Sequence, residues 1–165
     1  MVLKDDTSTR WGKPLPGGPS RSYKAMGWVG FGFLVVGLLD FGLVWLPPQF
    51  GDLEWRFSSA AQGLGALPIP TLGLVLLLVA GFHARRRWWA VTSGAVALAL
   101  VLAILASVAI WAPGVALALE TVPGDLEMGL YRTLVQMTMQ SLAYPVMFAY
   151  LAWMGLRYGP AIPPR

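Results

Sequence analysis

The sequence predicts an all-α, polytopic membrane protein with four transmembrane helices and both termini cytoplasmic. Of its 165 residues 56% are hydrophobic and only 12% charged, against roughly 45–50% and about 25% in soluble domains. Apolar runs near 20 residues recur along the chain, each enough to span a hydrocarbon core of about 30 Å. Lys and Arg gather in alternate connecting segments, as membrane topology requires. A soluble globular domain is excluded by composition alone.

Residues 1–26 read as a flexible basic cytoplasmic tail, rich in Gly and Pro around Pro14, Pro16, Gly17, Gly18 and Pro19, without the apolar core and small-residue cleavage site of a secretory signal. Residues 27–157 read as the transmembrane domain. Its first helix spans 27–46 and stops at Pro47 and Pro48, which lack the amide a helix needs to continue. The second, and shortest, spans 64–82, with Pro68 and Pro70 near its start, where missing amides are tolerated. A third covers 88–112, and Pro113 with Gly114 then ends or bends it, leaving open whether Val115 to Leu119 continue the helix. The fourth covers 130–156 with Pro145 inside, a length that calls for a kink or tilt. Residues 158–165 form a short cytoplasmic tail.

Orientation follows from the cations, because Lys and Arg resist translocation while acidic residues matter little. Ten of the twelve lie in the amino-terminal tail, the Arg85, Arg86 and Arg87 turn, and the carboxyl end, leaving only Arg56 and Arg132 for the other two loops. Those loops hold Asp52, Glu54, Glu120, Asp125 and Glu127. The outer surface is thus expected to be acidic and the cytoplasmic surface basic. Trp28, Trp88, Trp89 and Trp153 fall toward the inner interface and Trp45 and Trp111 toward the outer, the headgroup depths that amphipathic rings prefer.

Helix packing in lipid relies on small residues that let backbones approach. Ala95, Ala99, Ala103 and Ser107 recur every four residues and are expected to form the packing face of the third helix, within the bundle or against another subunit. The first helix is rich in glycine at Gly30, Gly32, Gly37 and Gly42.

Polar residues inside the apolar runs carry the functional expectations. Asp40 is a carboxylate within the first helix, a placement that costs about 2.5–3.5 kcal/mol on insertion scales unless a partner or cavity receives it. On the fourth helix Arg132, Gln136 and Gln140 recur at i, i+4 and i+8 and share one face. Asp40, Arg132, Gln136 and Gln140 are therefore expected to form an intramembrane polar cluster, with Asp40 meeting Gln136 and locking the first helix to the fourth. The structural reading is fixed helix register. The functional one is proton, quinone or lipid handling, for which a relay needs several titratable groups.

Other chemistry finds little support. Cysteine is absent and His83 is the only histidine, so no metal site, thiol chemistry or bis-histidine haem is expected. No cofactor, catalytic residue or nucleic-acid partner is expected either: neither nucleophile with base nor glycine-rich phosphate loop is present, and the cations flank membrane segments. Arg85, Arg86 and Arg87 suit contact with anionic headgroups or an acidic partner. In the segment 47–57, Trp55 and Phe57 are expected at headgroup level on an interfacial amphipathic turn or short helix, contacting lipid or a partner, with Asp52, Glu54 and Arg56 toward water; the alternative is a lid over the Asp40 region.

The series Asp40, Leu46, Pro47, Phe50, Asp52, Trp55 and Phe57, followed by Pro70, Thr71, Leu72, Gly73 and Leu74, resembles HpsJ-like membrane proteins of cyanobacteria over residues 27–82. The resemblance implies a plasma or thylakoid membrane and an accessory role in hormogonium polysaccharide production or secretion, and carries no active site. Large apolar helical surface with short loops suits a non-catalytic accessory or assembly subunit that contacts lipids and docks to a protein partner in a larger complex, of polysaccharide export or of photosynthesis. The alternative is a small transporter or a quinone- or lipid-binding protein centred on Asp40.

The topology has a direct test, since the native chain has no cysteine to label. An impermeant thiol reagent on intact cells is expected to modify Gly124→Cys and spare Ser20→Cys; labelling of Ser20→Cys alone reverses the assignment.

Overall fold

In the computed structural model, which describes residues 21–121, 123 and 127–161, six α-helices build four long legs. The first leg is α1 (Arg21–Leu43); α2 (Leu53–Ala66) and α3 (Pro68–His83) form the second; α4 (Arg87–Trp111) and α5 (Val115–Thr121) form the third; α6 (Glu127–Tyr158) is the fourth. Three stretches are long and apolar enough to cross a membrane: Arg21–Leu43, Leu53–His83 and Arg87–Thr121. The chain is thus an all-α protein of multi-span membrane character. At 32 residues α6 is long enough to cross, yet it falls outside this set because Gln136, Thr138, Gln140 and Ser141 interrupt its apolar residues.

Several boundaries differ from the sequence reading. Helix α1 begins at Arg21 rather than at residue 27, so the basic segment just before the apolar run is already helical. The expected loop before residue 64 contains α2, started by Asp52, whose Oδ1 accepts the Glu54 amide at 2.9 Å, the arrangement that makes Asp an effective N-cap. The bend at Leu67 coincides with Pro68 and Pro70, which cannot donate to the preceding turn. Pro113 interrupts the third leg only by one 3₁₀ turn, Ala112–Gly114, after which the chain is helical again to Thr121. The remainder of the amino-terminal tail (1–20) and the second half of the carboxyl tail (162–165) lie outside the described residues.

Neighbouring legs are antiparallel and pack in chain order, α1 on α3, α3 on α4 and α4 on α6, with α2 wedged at one end against α1, α4 and α6. Glycines set the contacts. A Cβ placed on Gly73 would stand 2.5 Å from the Leu34 amide nitrogen and 2.8 Å from the Gly30 carbonyl oxygen. One on Gly155 would stand 2.5 Å from the Ala90 carbonyl oxygen and 2.8 Å from the Gly94 Cα. At both crossings backbone touches backbone, which no larger residue permits. The core above them is formed by Leu64, Leu74, Leu77, Ile104, Met137 and Phe148, all nearly inaccessible.

This geometry corrects the expected packing face of the third leg. Ala95 and Ala99 are exposed and Ala103 half-buried; the buried line is Ala90, Ser93, Gly94, Ala97, Leu100, Ile104, Ser107 and Trp111. A repeat of exactly four residues advances 400° and drifts about 40° per step around a helix of 3.6 residues per turn, so a straight contact line must alternate threes and fours. Only Ser107 belongs to both sets.

Between α3 and α4 the chain turns through Arg85, which has φ 51°. The Arg86 amide donates to the Gly81 carbonyl at 2.8 Å and the Arg85 amide to Phe82 at 3.3 Å, the two bonds of a Schellman cap in which arginine occupies the usual glycine position.

Gly94→Leu and Gly155→Leu are each expected to lower the Tm of the purified protein by at least the equivalent of the ~1–3 kcal/mol typical of overpacking. Gly42→Leu, where a Cβ meets nothing within 4 Å, is expected to leave it unchanged.

Candidate functional site

The glycine contacts also fix which residues share a level. Gly37 meets Pro70, Gly81 meets Ala90 and Gly94 meets Gly155. Stepping from these at 1.5 Å per residue, Asp40 stands level with Leu67, with Ile104 and, on α6, with about residue 145. Tryptophans mark two further levels: Trp28, Trp88 and Trp89 near the arginine turn, and Trp45 and Trp111 toward the opposite, acidic end. Along the helices these lie roughly 26–33 Å apart, the thickness of a hydrocarbon core.

On this scale the four residues expected to cluster do not meet. Asp40 falls between the tryptophan levels and Gln140 at the upper one, whereas Gln136 and Arg132 fall beyond it, on the part of α6 that extends past α1. Asp40 is exposed on the side of α1, among exposed Val36, Leu39 and Leu43, and α1 packs on α3 while α6 packs on α4. The expected Asp40 to Gln136 contact is therefore replaced by separation across the helix row. The legs end at different heights: the second, third and fourth continue well past Leu43, so a shared place within the apolar runs does not bring Asp40 and Gln136 to one level. Gln136 and Arg132 are exposed, and Gln140 is half-buried.

The acidic end is held by an aromatic clasp. Trp45 lies edge-on to Trp55 with centroids 5.9 Å apart, and Phe50 lies edge-on to Trp55 at 5.2 Å. Phe57 rests on Trp111 at 6.2 Å. Leu53 approaches Gly114, where a Cβ would come within 2.7 Å of its Cδ1. The segment expected as a turn or short helix runs into the 14-residue α2, and Phe57 is half-buried against α4, so its ring serves the fold in addition to any outer contact.

Between α2, α5 and α6 this end opens into a cleft of about 660 Å³. Asp52, Glu54, Ser58, Thr121 and Thr133 supply its polar wall and Leu53, Phe57 and Leu130 its apolar wall. Each hydroxyl hydrogen is spent within its own helix: Ser58 donates to the Trp55 carbonyl at 3.2 Å, Thr121 to Leu117 at 2.9 Å and Thr133 to Gly129 at 3.0 Å. The side chains of the wall therefore offer oxygen acceptors above an apolar floor. They supply no nucleophile paired with a base. Among the described residues no three His, Cys, Asp or Glu side chains converge as metal ligands.

At the opposite end the three arginines are exposed, with the Arg86 guanidinium 5.4 Å from the Trp89 ring centroid. His83 is exposed, its ring stacked on Tyr23 at 4.8 Å, and its Nδ1 lies 2.9 Å from the Val79 carbonyl. Arg157 lies 5.4 Å from the Trp153 ring.

Sequence reasoning missed a set of orphaned polar atoms. Ser107 Oγ and Trp111 Nε1, one turn apart on α4, and Ser141 Oγ on α6 are buried without a partner among the described residues. Counting from Gly94 and Gly155, Ser107 and Ser141 fall at nearly the same height in the α4 and α6 seam. Periodicity marked Ser107 only as small; its hydroxyl became significant once Ser141 was placed opposite.

No family model, curated protein or solved structure matches the chain.

Because an unpartnered buried hydroxyl opposes stability, Ser107→Ala is expected to hold or raise the Tm in detergent. A loss equivalent to more than about 1 kcal/mol would reveal a hydrogen bond at this position.

Proposed function

We propose that the chain is a non-catalytic integral membrane subunit that docks laterally on another membrane chain through the exposed face of α1. The observation that carries this reading is Asp40. It lies on an apolar surface, between the two tryptophan levels, and no described residue hydrogen-bonds its carboxylate. A carboxylate there costs about 2.5–3.5 kcal/mol against lipid, and a protein partner bearing a donor removes much of that cost. In this reading all four legs cross the membrane, the chain ends share the cytoplasmic side with the arginine turn, and the acidic end with its cleft stands outside. The cation distribution and the antiparallel run of α6 along α4 support that arrangement.

The resemblance of residues 27–82 to HpsJ-like cyanobacterial proteins favours an assembly for polysaccharide production or secretion over a photosynthetic complex. The transporter alternative centred on Asp40 is less favoured, because Arg132, Gln136 and Gln140 do not continue a polar path from it.

Gentle extraction from the native membrane, followed by particle mass and identification of copurifying chains, is expected to find the protein in a stoichiometric assembly. Asp40→Leu is expected to disperse that assembly and leave the subunit folded. An isolated single chain, indifferent to Asp40→Leu, sinks the reading.

A further inference from the structure

Resting on lateral docking through α1, we propose that the docked partner is a second copy of this chain, whose α6 covers the exposed face of α1 and whose Tyr150 hydroxyl donates to Asp40.

Two features of α1 meet no other described residue, and they share a face. Gly27, Gly30 and Gly37 each meet another helix, whereas a Cβ on Gly32 meets nothing within 4 Å. Gly32, Val36 and Asp40 follow at i, i+4 and i+8, all exposed. A glycine on a lipid-facing helix leaves a hollow for a side chain of another helix, and Asp40 one turn beyond Val36 asks for a donor.

The matching surface is on α6 of the same chain. Its outward side presents Leu142, Val146, Tyr150 and Trp153, and Tyr150 is 59% exposed. The level correspondence sets Leu43 beside about Leu142, Leu39 beside about Val146 and Gly32 beside about Trp153, so a large ring falls opposite the hollow. Asp40 lies about a turn and a half from Tyr150 in height, and the tilt of the side chains closes part of that gap. Side chains lean toward the amino terminus of their helix. That direction is toward the arginine end for α1 and toward the acidic end for α6, so carboxylate and phenol lean toward each other.

Position in the fold makes the match usable. The first and last legs are the two ends of the packing order, so every copy carries one of each face. Copies with the same membrane orientation also bring α1 and α6 together antiparallel, continuing the alternation inside the chain. Such a contact is heterologous and repeats until rotation closes a ring.

Coexpression of two single-cysteine variants, Leu39→Cys and Val146→Cys, followed by mild oxidation in native membranes, is expected to yield a mixed disulfide dimer. Asp40→Asn and Tyr150→Phe are each expected to weaken self-association about threefold to tenfold, and the double variant no further. Disulfides only between two Leu39→Cys chains, or only between two Val146→Cys chains, overturn the proposed face. A different protein cross-linked to Leu39→Cys overturns the second-copy assignment while leaving the subunit reading intact. An uncross-linked single chain in lipid nanodiscs overturns the second-copy assignment, and the native extraction above decides the subunit reading separately.

Discussion

Backbone contact at two glycine crossings is the constraint on which the remaining geometry depends. Lipid tails are as apolar as leucine, so burying apolar surface gives helices little reason to associate within a bilayer, and close packing has to supply it. Gly30 with Gly73, and Gly94 with Gly155, bring α1 to α3 and α4 to α6 at a separation only hydrogen side chains allow. Those contacts fix the relative height of the legs. Height in turn decides which polar residues can meet.

The protein is unequal end to end as a consequence. The first leg stops at Leu43, while the second, third and fourth extend farther and build a structure of their own from α2, α5 and the start of α6. An aromatic clasp through Trp45, Trp55, Phe57 and Trp111 holds it, and Gly114 admits Leu53 beneath it. Its cleft offers carboxylate and hydroxyl oxygens above apolar side chains. The opposite end is a tight turn carrying three exposed arginines.

Asp40 links the fold to the proposed function. In a closed bundle the carboxylate would face inward toward polar residues of α6; in the row observed, it faces outward. The same stripe on α6 divides with height, Arg132 and Gln136 beyond the upper tryptophan level and Gln140 at it. One carboxylate thus stays on an exposed apolar helix face with no hydrogen-bond partner among the described residues, the feature on which the proposed docking rests.

The sequence by itself determined membrane character, the four long legs and the opposed charge of the two ends, because apolar run length, proline position and charge distribution are local properties. It located Asp40 as the exceptional residue for the same reason. It could not give α2 its extent, since the mixed composition there reads equally as turn or helix, nor choose Gly94 over Ala95 as the contact, since both are small. Only the tertiary structure decided these, together with the height of each leg and the neighbours of α1. Register between helices depends on which backbones touch, and that is a property of two segments at once.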